Sequence, residues 1–169
     1  EAKKTFDCIE AAKNGTLPVC GVHTTLPHVK LIEDILRLSQ LDEGVALPTE
    51  SVDLLQRAEE VRSLLLPSAQ ERNVNVSVCG AGFSVVGVRR MLHEMVYNLC
   101  ENAIKYNVSG GLVRVTTRWE GERICLEVSD TGAGIPEEHL DKIFDRFYRV
   151  DKARSRAAGG TGLGLSIVQ

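Results

Sequence analysis

Residues 93–107 read HEMVYNLCENAIKYN, and the two asparagines one helical turn apart in that stretch, Asn98 and Asn102, decide how the rest of the chain is read. On a helix, positions i, i+4 and i+7 share a face, so Asn98, Asn102 and Lys105 project together. Leu92, Val96, Leu99 and Ala103 fall on a neighbouring stripe suited to packing on a sheet. Buried polar groups must find partners, so a core-facing helix has no use for two amides and an amine in line. Taken alone, that line could equally be a solvated face. Its context favours a site, because a strand, a carboxylate and a Gly-x-Gly turn follow it.

The strand is in RICLEVSDTGAGIP, residues 123–136, where Ile124, Leu126 and Val128 alternate as in a half-buried strand. It ends at Asp130, whose carboxylate can accept a hydrogen bond from an exocyclic amine. Gly132 and Gly134 let backbone approach a flat ligand, Ile135 offers an apolar face to a purine, and Pro136 restricts the chain entering the next helix. An ordinary turn would fit D-x-G-x-G by itself. Further on, residues 144–168 read FDRFYRVDKARSRAAGGTGLGLSIV: an aromatic cluster, a basic segment, then Gly160, Gly162 and Gly164 before an apolar helical run. Glycines that open a helix present N–H groups to phosphate oxygens. No G-x-x-x-x-G-K-[ST] loop occurs, and GGTGLGL follows a loop rather than a strand, which excludes a dinucleotide fingerprint.

These segments, in this order, resemble the four boxes of the catalytic and ATP-binding half of bacterial sensor histidine kinases. HEMVYNLCENAIKYN is similar to the N box, DTGAGIP to the G1 box, FDRFYRV to the F box and GGTGLGLS to the G2 box. The resemblance spans roughly residues 29–169. It implies ATP and Mg2+ as ligands, with Asn102 holding the metal and Asn98 beside metal and phosphates. By the same likeness Lys105 contacts phosphate and Tyr106 lies against the nucleotide. Asp130 reads the adenine amine, and Gly132, Gly134 and Ile135 shape the base pocket. Arg149 reaches the phosphates to stabilise transfer, and Gly160, Thr161, Gly162, Leu163, Gly164 and Leu165 of the G2 box complete the nucleotide site. Arg154 and Arg156 fall in the family's mobile lid, where solvated charges are an equally good reading.

In the wider superfamily of gyrase, heat-shock chaperone, histidine kinase and mismatch-repair ATPases, hydrolases carry a water-activating Glu one turn before the metal-binding Asn. Asn98 stands there in this chain, and an amide is no general base. The resemblance therefore implies slow ATP hydrolysis and transfer to a histidine, with a response regulator receiver domain as the next partner. A nucleotide-sensing pseudokinase is the alternative. A serine kinase of the anti-sigma type is disfavoured, since those proteins carry Glu at that position.

The chain has 169 residues and a net charge of −3, which gives no broad electrostatic reason to expect nucleic acid. Five cysteines with no C-x-x-C argue against a disulfide framework or a zinc site, so Cys8, Cys20, Cys79, Cys100 and Cys125 are read as reduced thiols, several of them filling the core. No apolar run approaches the roughly 20 residues of a bilayer span, and no signal peptide opens the chain.

The spacing predicts an α+β fold: a two-layer sandwich whose mixed sheet is covered on one face by helices, preceded by helical segments of a dimerisation hairpin. Residues 1–44 form the partial hairpin region, with HVKLIEDILRLSQL (residues 28–41) as an amphipathic helix, and residues 45–169 the catalytic domain. Within it, helices are expected over 54–72 and 89–107, a hairpin from 74–79 with 83–88, and another from 112–119 with 123–129. No phosphoacceptor motif is recognisable. His23 is followed by Thr24 rather than an acid, so His23 and His28 are assigned to a loop, and His93 and His139 to surface or helix faces. The acceptor must then come from the parent protein, implied to be a homodimeric, membrane-anchored sensor with this part in the cytoplasm. The helical run after Leu165 stops at Gln169, so a fragment of a longer protein is expected.

Overall fold

The computed structural model describes residues 47–150 and 162–168; the hairpin region expected over residues 1–44 lies outside them. After a short coil, β1 (Glu50–Asp53) leads directly into α1 (Leu54–Glu71). Asp53 caps that helix, its Oδ1 accepting the Gln56 N–H at 2.9 Å. Ala58, Val61, Leu65 and Ala69 recur on one face and are buried. The helix ends in a Schellman turn, with Val74 N–H donating to the Ala69 carbonyl at 2.8 Å and Asn73 N–H to Gln70 at 3.0 Å. Asn73 takes the left-handed conformation this turn requires, at φ 54°.

Strands β2 (Asn75–Gly80) and β3 (Ser84–Gly87), helix α2 (Arg89–Lys105), and the strands β4 (Leu112–Glu120) and β5 (Arg123–Asp130) follow. Two sheets result: an antiparallel β1-β3 pair and a mixed sheet of order β2-β4-β5, in which β2 is parallel and β5 antiparallel to β4. The expected α+β architecture is present, as are both helices and the β4-β5 hairpin. The hairpin expected between 74–79 and 83–88 is not. Both segments are strands, but β2 pairs with β4 from Asn75↔Leu112 to Gly80↔Thr117, and β3 pairs with β1. The cause is burial. Val76 and Val78 must lie beside Val113 and Val115 to join the core under the helices, while Val85 pairs with the buried Val52. Thr117 holds the parting of the two strands, its hydroxyl donating to the Ala81 carbonyl at 2.7 Å.

The core is one cluster between both helices and the mixed sheet, with Val113, Val115 and Thr117 forming the inward face of β4. From α2 it takes Val96, Cys100, Ala103 and Ile104; Leu92 and Leu99 of the expected stripe are only half-buried. Cys100 is a core filler, whereas Cys79 is exposed and Cys125 intermediate. Burial pushes the Cys100 thiol up to about 12. Thiolate is the reactive form, so at about pH 8 iodoacetamide should alkylate Cys79 in the folded protein and leave Cys100 unmodified until denaturant is added. Peptide mass mapping reads this directly. Equal labelling of the two would mean that α2 is not packed as described.

Candidate functional site

The buried face of α2 fixes the opposite one. With Val96, Cys100, Ala103 and Ile104 turned to the sheet, Asn98, Asn102 and Lys105 sit half-buried on the outer side of the helix. There they meet the G2 segment. A Cβ on Gly164 would stand 3.3 Å from Asn98 Oδ1 and 3.9 Å from Asn102 Nδ2, so the backbone of Gly164 lies against both amides. Lys105 extends its ammonium over the Tyr106 ring, 5.4 Å from the centroid, and Tyr106 is exposed.

The G1 turn is held to the end of the same helix. Asp130, the last residue of β5, accepts the Gly132 N–H on Oδ1 at 2.7 Å. That fixes the carboxylate and leaves Oδ2 for another donor. A Cβ on Gly132 would come within 2.7 Å of the Tyr106 carbonyl oxygen, so only glycine permits this approach. Gly134 has φ 69°, and the Ile135 side chain beside it is exposed. Pro136 leads into the helix expected after it, which is a single 3-10 helix, Glu137–Lys142.

Two residues with no assigned role in the sequence lock this junction. The Thr131 hydroxyl donates to Asn107 Oδ1 at 3.1 Å and accepts the Leu112 N–H at 2.9 Å, while Asn107 Nδ2 donates to the Leu112 carbonyl at 3.1 Å. The end of α2, the start of β4 and the G1 turn are thereby tied together. The only signal in the sequence is weak: an Asn closing the helix ahead of Ser-Gly-Gly.

The F and G2 segments meet through their backbones. Phe147 donates its N–H to the Gly162 carbonyl at 2.9 Å, and both residues have positive φ, 65° and 76°. Leu163, between Gly162 and Gly164, is 0% exposed, so its side chain anchors the segment in the protein. Leu165 begins a 3-10 turn, Leu165–Ile167. Gly160 and Thr161, like Arg154 and Arg156, lie outside the described residues. Two residues beyond Phe147, Arg149 has Nε and Nη2 buried with no hydrogen-bond partner among the described residues. Guanidinium N–H groups buried in that way cost free energy unless an acceptor meets them. Among the described residues no group of three or more His, Cys, Asp or Glu side chains could hold a metal ion.

Residues 87–169 match the family model described as histidine kinase-, DNA gyrase B-, and HSP90-like ATPase. The sensor-like histidine kinase SenX3 of Mycolicibacterium smegmatis is 37% identical over 141 residues, 82% of this chain and 37% of SenX3. The signal transduction histidine-protein kinase ArlS of Staphylococcus aureus is 35% identical over 145 residues, 83% of this chain and 32% of ArlS. Among solved structures, the mycobacterial sensor histidine kinase MprB superposes with a TM-score of 0.60 at 28% identity, covering 72% of this chain and 76% of that one. The chain carries the catalytic ATP-binding domain of a histidine kinase. It spans about a third of the length of the curated relatives it matches. Among the described residues, no helix of this kinase domain is long and apolar enough to cross a membrane.

In this kinase domain, the Asn107–Thr131 lock is held by hydrogen bonds within the protein, so it can be tested through stability. Thr131→Val removes both hydroxyl hydrogen bonds while keeping the shape. It should lower stability by about 1 kcal/mol, since these bonds are solvent-exposed. Thermal unfolding measures this, and an unchanged midpoint would remove the lock from the account.

Proposed function

We propose that this domain transfers the γ-phosphoryl group of ATP to a histidine on a dimerisation hairpin, supplied by the parent chain or its dimer mate, for relay to an aspartate of a response regulator. The observation that carries this reading is the pairing of Asn98 and Asn102 against the backbone of Gly164. Both are amides, so neither can activate water, yet both can hold a metal–phosphate group in place.

The residues divide the work by position. Asp130 Oδ2 takes the adenine amine, with Ile135 and Tyr106 against the ring. Gly162 and Gly164 bring backbone to the phosphates, and Lys105 and Arg149 neutralise them. Mg2+ fits the donor set, because it keeps several waters and needs one or two protein ligands beside phosphate oxygens; Asn102, through its carboxamide oxygen, would be the ligand. When bound, the ion would offset charge on the transferring group. The acceptor imidazole nitrogen forms the N–P bond as the bond from Pγ to the bridging oxygen breaks. ADP leaves with that electron pair, and the ring gives up its N–H proton to water. Positioning and charge neutralisation supply the catalysis, as in other phosphoryl transfers.

On this reading residues 1–44 belong to the hairpin region and residues 45–169 to the catalytic domain. The parent is a homodimeric, membrane-anchored sensor with this domain on the cytoplasmic side. The names of the relatives, a sensor-like histidine kinase and a signal transduction histidine-protein kinase, support a parent that is a sensor.

Two measurements test the proposal. Asn102→Ala should weaken Mg2+-dependent binding of a non-hydrolysable ATP analogue by about tenfold, equivalent to ~1.4 kcal/mol, and leave metal-free binding unchanged. An unchanged metal dependence removes Asn102 as the ligand. Separately, the isolated chain should turn over ATP far more slowly than the roughly one per second at the low end of enzyme rates, yet pass label from γ-labelled ATP to an added hairpin domain. Tight binding without transfer would make it a nucleotide-sensing module instead.

A further inference from the structure

Between the base-pocket turn at Pro136 and Arg149, one side-chain contact joins the two ends of the segment. His139, in the 3-10 helix after the G1 turn, has Nδ1 2.7 Å from the Tyr148 hydroxyl oxygen, and the rings lie 6.0 Å apart between centroids at 51°. The imidazole lies on a face of that helix, as the sequence suggests, but partly covered: its side chain is 23% exposed, with Nε2 3.5 Å from Glu138 Oε1. A proton on Nε2 suits that carboxylate, which leaves Nδ1 to accept from the tyrosine hydroxyl.

Arg149 follows Tyr148 immediately and has no hydrogen bond of its own at Nε or Nη2 among the described residues. The residues just before it fix its backbone. Phe147 is tied to Gly162 through its N–H at 2.9 Å, and Tyr148 is tied to Asp145 through its backbone at 3.1 Å and to His139 through its ring hydroxyl. The first tie comes from the phosphate side of the site and the last from the adenine side.

We infer that His139, acting through Tyr148, is a positioning residue that aims Arg149 at the γ-phosphate and so sets the preference of the site for ATP over ADP. The inference rests on the proposed phosphate role of Arg149. Losing one hydrogen bond of this kind is worth about 1 kcal/mol, or roughly fivefold in affinity. The effect falls on the triphosphate alone, because ADP has no γ-phosphate for Arg149 to meet.

Calorimetric titration of the 169-residue chain with Mg2+ and either a non-hydrolysable ATP analogue or ADP tests this. His139→Ala should weaken analogue binding about fivefold and ADP binding less than twofold. Tyr148→Phe, which removes one oxygen and keeps the ring, should do the same, and the double variant should be no worse than either single one. His139→Asn, which retains an acceptor at the δ position, should recover most of the loss. Equal losses for both nucleotides, or losses that add in the double variant, would overturn the inference. Arg149→Ala separates it from the reading beneath it. If that variant keeps the wild-type preference for triphosphate, the phosphate role of Arg149 fails; if it loses the preference while His139→Ala keeps it, only the positioning role fails.

Discussion

The rotation of α2 about its own axis is the constraint on which the site depends. Each residue along a helix turns the side chain by about 100°, so a slip of one position would carry Asn98 or Asn102 into the sheet and bring core residues out. Val96, Cys100, Ala103 and Ile104 oppose that slip, each almost completely buried. Burying Val96 and Ile104 contributes about 1.5–3 kcal/mol each, and an amide forced into their place would have no partner. Core and site are two faces of one helix. A change that repacks the sheet under α2 therefore also moves the amides.

Backbone contacts then bring the other pieces to that helix. Gly132 lies against the Tyr106 carbonyl, Gly164 against Asn98 and Asn102, and Gly162 against Phe147, where an added Cβ would stand 3.0 Å from the Phe147 backbone. A side chain would collide with backbone at Gly132 and crowd it at Gly162, whereas at Gly164 the amides would have to give by only a few tenths of an ångström. Phe147 is the exception to glycine in this arrangement, with φ at 65°. A non-glycine residue there costs on the order of 1–3 kcal/mol, which its hydrogen bond to Gly162 helps to offset. Backbone strain thus falls where the F and G2 segments join, two residues from Arg149.

Local periodicity made much of this legible. The 3.6-residue pattern of α1 and α2 and the alternation in β4 and β5 are properties of neighbouring residues, and those elements fall where the spacing placed them. Pairing is not local. Val76, Val78 and Val85 look alike as strand residues, and only the shared core assigns the first two to β4 and the third to β1. Glu50–Asp53 is too short and polar to announce itself as a strand before its partner is known. The Asn107–Thr131 bond joins residues 24 apart, and the His139–Tyr148 contact depends on a 3-10 turn that brings round two residues otherwise read as unrelated. For Leu163 the sequence shows a glycine-rich loop but not that the leucine within it turns inward.

The chemistry of the donor set has a consequence for how a metal would be held. Asn98 and Asn102 are neutral, and among the described residues no cluster of carboxylates, histidines or cysteines supplies charge. A hard divalent cation gains most from anionic oxygens, so on the proposed reading its affinity must come from the nucleotide phosphates, with Asn102 directing rather than supplying the bond strength. Metal and nucleotide then enter and leave together. A carboxylate at Asn98 would change both properties at once, giving the metal a second anchor independent of nucleotide and giving water a base. The amide withholds both, which on the proposed reading suits a domain that keeps its phosphoryl group from water until a histidine arrives.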